Sequence, residues 1–266
     1  MTPDRFAQLK VLLVEDNPIN QKVATEILRL GGIEPKGAEN GLEAVAAVES
    51  GHFDLVLMDI QMPEMDGLEA TRVIRRELGL SDLPIIAMTA HATEGDRDKC
   101  LTAGMDDYVS KPIDPELLFQ AIGNAVDGGG DHHVPISREP AERHAADAAQ
   151  KDFPGLNYAE GLARVGGSRE LYQDILDEYC DFYQDVIPEF AALIDREDFT
   201  AARKKAHALK GAAGNLSAMD LKLAAEKLET ACRENDAGQA RSLLAVAEKA
   251  LLQLFDNASN LKALNG

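Results

Sequence analysis

The chain has 266 residues, 45% of them hydrophobic, which suits one large or two ordinary domains with one or two buried cores. Its 27 Lys+Arg stand against 46 Asp+Glu, a net charge of −19, which argues against a surface for nucleic-acid phosphates or anionic lipid. Trp is absent and aromatics are only 5%, so a base-stacking platform is not expected either.

The first half alternates between short aliphatic runs and helical stretches. KVLLVED (10–16) reads as a buried strand ending in two acids, followed by a helix over PINQKVATEILRLGG with Pro18 in its first turn and Gly31-Gly32 as its stop. A short strand is expected near 33–37, a helix from Gly41 to Ser50 and the strand DLVLMD at 54–59. A helix from Gly67 to Leu78, the strand LPIIAMTA (83–90) and a helix near 94–103 come next, then the strand DYVSKP (107–112) and a helix from Pro115 to Val126. Strands that are apolar throughout and separated by helices are parallel and covered on both faces, so the expectation is a doubly wound (βα)5 α/β domain.

Residues 127–152 break the pattern with a Gly run, two Pro and few large apolar side chains, which reads as a flexible linker. His132-His133 lies inside it and is read as solvated rather than metal-binding. Beyond it no strand is expected. Helices are expected over about 159–165, 168–195, 198–215, 218–235 and 237–258, the second bending at Pro188, and the natural packing is an antiparallel four-helix bundle. The division is therefore 1–126, linker 127–152 and 153–266. Three cysteines, far apart and without a CxxC, suit reduced thiols. No apolar run approaches a membrane span and no signal-peptide core opens the chain, so a cytoplasmic location is expected.

Ligands of parallel α/β sheets bind at the carboxyl ends of the strands. Glu15-Asp16, Asp59, Thr89-Ala90 and Lys111-Pro112 occupy four such ends. Singly, each has an ordinary use as a cap, turn or surface residue. Together they are three acids, a hydroxyl and an ammonium at one edge. Clustered carboxylates suit a hard divalent cation. A carboxylate can also attack phosphorus, with metal, ammonium and hydroxyl stabilising the phosphoryl oxygens.

The stretches VLLVEDNPIN, DLVLMDIQMPEMDGLEA, PIIAMTAHA and DYVSKPID resemble the receiver domain of bacterial two-component response regulators, over about residues 8–126. The resemblance implies a flavodoxin-like fold with Asp59 as phosphoacceptor. It also implies Mg2+ at Glu15, Asp16, Asp59 and the Gln61 carbonyl, with Asp16 the direct ligand of the acid pair. Thr89 and Lys111 would hold the phosphoryl group, Tyr108 would change rotamer with the threonine, and Gln61 and His91 would modulate acyl-phosphate lifetime. NPINQKV and DIQMPEMDG look like receivers embedded in hybrid histidine kinases.

In the second half, Phe199, Ala202, Ala206, Leu209, Ala213 and Leu216 form a buried seam at helical spacing. Arg203, His207, Lys210 and Gly214 form an adjacent stripe, so His207 is expected to be exposed. Gly211 and Gly214 each cost a helix interior about 1 kcal/mol relative to Ala. Gly211, one turn beyond His207, would clear space beside the imidazole, and Lys210 would offset phosphoryl charge. AHALKGAAGNLSA resembles the signature of histidine-phosphotransfer (HPt) domains, over about 153–258, with His207 as the phosphorylated residue.

These resemblances imply a phosphorelay carrier without its own ATP-binding kinase domain. Its partners would be an upstream histidine kinase and a downstream receiver domain, and the flow could also reverse to drain phosphate. The alternative is that the chain is the C-terminal receiver–HPt portion of a hybrid sensor kinase. An aspartate-nucleophile phosphatase fits less well, because Gln61 stands where a second carboxylate would serve as general acid.

Overall fold

Runs of three to five residues, bounded by turn formers, build a parallel sheet in the computed structural model, which describes residues 6–89, 94–126 and 153–265. The strands are β1 Val11–Val14, β2 Lys36–Ala38, β3 Leu55–Asp59, β4 Ile85–Thr89 and β5 Asp107–Ser110. The helices α1 Pro18–Leu30, α2 Gly41–Ser50, α3 Gly67–Arg76, α4 Glu94–Ala103 and α5 Pro115–Val126 alternate with them. The strand order is β2-β1-β3-β4-β5, all parallel. β1, β3 and β4 are buried along their whole length, as strands covered on both faces must be. The order reverses between β1 and β3, so a crevice opens at their carboxyl ends.

Local chemistry sets the helix ends. Asn17, Asn40 and Asp66 accept backbone N–H groups at the starts of α1, α2 and α3. At the end of α1, Gly32 has φ +81°, and the N–H groups of Gly32 and Ile33 return to Arg29 and Leu28, a Schellman closure that needs glycine. β2 begins at Lys36 rather than 33, because Pro35 has no N–H to give a ladder. Ile33 is a core residue in the turn instead.

Among the described residues the second half holds helices and no strand: α6 Tyr158–Arg164, α7 Arg169–Tyr183, α8 Val186–Asp195, α9 Phe199–Asn215, α10 Met219–Arg233 and α11 Ala237–Asn265. The α7–α8 pair, α9, α10 and α11 make the four-helix bundle, with α9 against α10 and α11 against α7, α8 and α10. The expected single helix over 168–195 is two, broken at Gln184-Asp185. Pro188 does not bend a helix. It lies in the first turn of α8, where a missing N–H leaves no helical bond unmade. The expected seam on α9 is buried at Ala202, Ala206, Leu209, Ala213 and Leu216.

The chain divides into two compact units, residues 1–144 and 145–266. The linker reading over 127–152, with His132-His133, and the readings at Ala90 and His91 lie outside the described residues. Cys100, Cys180 and Cys232 are all free thiols. No helix among the described residues is long and apolar enough to cross a membrane.

Tyr179 is fully buried in the bundle, and its hydroxyl has no hydrogen-bond partner among the described residues. An unmade bond at a buried hydroxyl costs about 1–3 kcal/mol. Tyr179→Phe is expected to stabilise the helical unit by about 1 kcal/mol, seen as a higher midpoint in urea or thermal unfolding. A lowered midpoint would contradict this.

Candidate functional site

β1 and β3 deliver acids to the switch-point crevice. Glu15 and Asp59 are buried, Asp16 is the most open of the three, and one oxygen from each lies within 4.8 Å of the others. Lys111, just past β5, reaches between them. Its Nζ donates to Glu15 Oε2 at 2.5 Å and to Asp59 Oδ2 at 2.7 Å, with the lysine side chain only 6% exposed. The Lys111 N–H donates to the Thr89 carbonyl at 2.6 Å, so the end of β4 fixes where that lysine stands. The Gln61 N–H points at Asp59 Oδ1 at 3.4 Å.

The electrostatics follow from burial. Desolvation is the largest influence on Glu15 and pushes its carboxyl up; the Lys111 ammonium pulls it down and the Asp59 charge pushes it up again, leaving it at about 7. Burial alone would lower the Lys111 ammonium, but Asp59 and Glu15 outweigh it and raise it above the usual lysine range. One ammonium bridges two of the three clustered acids, so the cluster keeps surplus negative charge.

Gly67 supplies a close approach. A Cβ there would sit 2.0 Å from the Asp59 carbonyl oxygen, so only glycine lets the start of α3 pack on that backbone. Tyr108 is half-buried on β5, pairs with Ala87 of β4 and packs against the core on one face of the sheet.

In the helical unit, α9 carries His207, whose side chain is 15% exposed, not open as its polar stripe implied. Its Nδ1 is 2.8 Å from Glu229 Oε1 on α10, and Lys210 Nζ donates to Glu229 Oε2 at 2.6 Å. Lys210 and Gly214 are buried; of that stripe only Arg203 is exposed. The reason is the short turn at Leu216–Ala218, which folds α10 back over the carboxyl half of α9. Gly214 also spends its carbonyl on the buried Arg164 guanidinium, at 2.8 Å, so it serves packing at the helix end. Gly211 is partly buried.

Glu229 was not among the residues expected from sequence. It is 22 positions from His207, and nothing local marks it. In a hairpin of helices turning at 216–218, however, both residues lie about 15–18 Å from the turn at 1.5 Å per residue, which brings them level. Burial pushes the Glu229 carboxyl up, but hydrogen bonds from His207 and Lys210 outweigh it and bring it down to about 2, against an ordinary 4.5. A depressed carboxyl contributes stability above its unfolded value and loses it as pH falls through the folded one. The helical unit is therefore expected to lose on the order of 2–3 kcal/mol between about pH 5 and 2 through this group. Glu229→Gln should flatten that part of a stability–pH profile, and an unchanged profile would refute the assignment.

Both halves of the chain match known families. A family model described as response regulator receiver domain matches residues 11–123, and one described as Hpt domain matches 174–261. The chain is 33% identical over 254 residues to the sensor protein GacS of Pseudomonas syringae pv. syringae, covering 92% of this chain and 27% of that protein. It is 29% identical over 265 residues to the signal transduction histidine-protein kinase BarA of Escherichia coli K12, covering 98% of this chain and 27% of that one. The chain thus spans about a quarter of the length of these curated relatives. Among solved structures, the receiver domain of sensor histidine kinase PA1611 from Pseudomonas aeruginosa PAO1, with magnesium in its active-site cleft, is 41% identical. It covers 45% of this chain and 98% of that one, with a TM-score of 0.42.

Proposed function

This chain belongs to the two-component signalling proteins that join a response regulator receiver domain to an Hpt domain, and from that pairing we propose the following phosphorelay. The receiver occupies 1–126, a linker 127–152 and the Hpt domain 153–266. Asp59 accepts a phosphoryl group from an upstream histidine kinase, and His207 exchanges it with a receiver aspartate. The match to GacS and BarA favours a receiver–Hpt portion of a hybrid sensor kinase, with the chain itself a carrier rather than the source of the phosphoryl group.

The observation that carries this reading is Lys111 held 2.7 Å from Asp59 Oδ2 at the switch point. A buried ammonium beside a carboxylate suits an oxygen that is to bear phosphorus. Hard oxygens from Glu15, Asp16 and Asp59 within 4.8 Å, with Glu15 pushed up by burial and by Asp59, are the donor set a divalent cation relieves. Those residues and the Gln61 carbonyl would hold Mg2+, which when bound supplies neutralisation of phosphoryl charge.

The residues do the rest. An Asp59 carboxylate oxygen forms the O–P bond as the P–N bond of the donor phosphohistidine breaks, and the donor ring keeps that electron pair. Lys111 and the Thr89 hydroxyl bind the transferred oxygens, and Tyr108 follows Thr89 as the site fills. In the second exchange His207 Nε2 forms the N–P bond and the Asp59 O–P bond breaks. Nδ1 is committed to Glu229, which fixes the ring and selects Nε2 as the nucleophile. As Nε2 bonds phosphorus the ring gains positive character, and the ionised Glu229 offsets it. Lys210 keeps Glu229 ionised rather than meeting the phosphoryl group first, and Gly211 and Gly214 admit the partner surface and close the helix packing.

The test is to incubate the full chain with acetyl phosphate and Mg2+, then measure base-labile phosphate for aspartate and acid-labile phosphate for histidine. Both species are expected. No incorporated phosphate, or equal incorporation without Mg2+, would sink the reading.

A further inference from the structure

The NPIN segment opening α1 does more than start a helix. Asn17 caps α1, Pro18 holds its first turn and Ile19 is fully buried in the core. Asn20, 3% exposed, turns back to the acid crevice, and its Nδ2 donates to Glu15 Oε1 at 2.9 Å. The Asn17 N–H approaches the same oxygen at 3.4 Å. The next residue, Gln21, reaches the Glu15 and Ala38 carbonyls, each at 3.4 Å, and so ties the ends of β1 and β2. Glu15 is thus held by its side chain and by its backbone from successive positions of one helical turn.

The consequence is a division of labour between two oxygens. Oε1 takes the asparagine, while Oε2 takes Lys111 at 2.5 Å, the same ammonium that holds Asp59 Oδ2 at 2.7 Å. A glutamate has one more rotatable bond than an aspartate, so a Glu–Asp pair offers a less defined oxygen unless something fixes it. Nδ2 of an amide can only donate, so it holds Oε1 as an acceptor and fixes the carboxyl plane.

We propose that Asn20 is a positioning residue for the cation site, orienting Glu15 so that Oε2 is presented to the cluster. The inference rests on the reading that Glu15, Asp16 and Asp59 hold Mg2+. It assigns Asn20 no contact with the ion or the phosphoryl group.

The experiment is a calorimetric titration of MgCl2 into the full chain, with folding of each variant checked by thermal melts. Asn20→Ala, and Asn20→Leu which refills the buried volume without a donor, should each weaken the Mg2+ Kd on the order of 10-fold, as loss of partners behind metal ligands commonly does. A Glu15→Asp carboxylate is about 1.5 Å shorter and withdrawn from the amide. In that background Asn20→Ala should change Kd by less than about twofold, since the two residues act as one unit. An unchanged Kd in folded Asn20→Ala or Asn20→Leu would overturn the proposal. So would an equal loss in the Glu15→Asp background, which would make Asn20 a general support of the fold. Wild-type chain that binds no Mg2+ would overturn the cation reading itself and this inference with it, whereas failure in the variants alone would leave that reading standing.

Discussion

Asp59→Asn should reduce base-labile phosphate on the chain by at least about 10³-fold, because it removes the nucleophile while leaving shape and packing nearly unchanged. An amide oxygen carries no charge to attack phosphorus, and an amide nitrogen is not basic. Lys111 keeps Glu15 as a partner in the variant, and one of three crowded acids is gone, so folding should survive. The measurement is incorporation from acetyl phosphate with Mg2+, split by base and acid lability, beside a thermal melt. A folded Asp59→Asn chain that labels as wild type does would place the acceptor elsewhere. Acid-labile phosphate on the variant would show that His207 can be loaded without Asp59, and would make the two sites independent stations rather than successive ones.

His207→Gln should have the complementary effect. Delivery of phosphate to a downstream receiver should fall by at least about 10³-fold, while base-labile phosphate on Asp59 persists or builds up. Glutamine retains a donor for Glu229 and similar reach, so the α9–α10 contact should hold. Undiminished delivery would remove His207 from the relay. Glu229→Gln should fall between: a neutral acceptor still orients the ring but no longer offsets its developing charge.

Much of the receiver half was legible because its signals are local. Asn17, Asn40 and Asp66 cap within three residues of themselves, and α2 runs from Gly41 to Ser50 as its pattern required. Strand ends can be read because an aliphatic run stops where acids and turn formers begin. The rule that ligands gather at those ends then selects Glu15, Asp16, Asp59, Thr89 and Lys111. The misjudged elements are those where one residue admits two local solutions. Pro188 could bend a long helix or start a new one, and only the packing of α8 on α11 and α9 decides between them. Pro35 likewise moved β2 towards Lys36, since pairing with Leu12 needed residues that could donate.

The amino-acid sequence by itself determined the alternation of strands and helices, the caps, the chemistry at the strand ends and the identity of the two phosphate-bearing candidates. Each depends on neighbours within a few residues, and periodicity or a motif records that. Only the tertiary structure decided which groups complete those sites. Lys111 bridges Glu15 and Asp59 across 96 and 52 positions, Asn20 turns back on Glu15, and Glu229 meets His207 and Lys210 from the next helix. It also turned a stripe expected to be exposed into one that runs from open at Arg203 to buried at Lys210 and Gly214. A hydrogen bond of 2.5–3 Å is blind to separation along the chain. Its partner is chosen by how sheet and hairpin bring distant backbone together, and no local pattern encodes that distance.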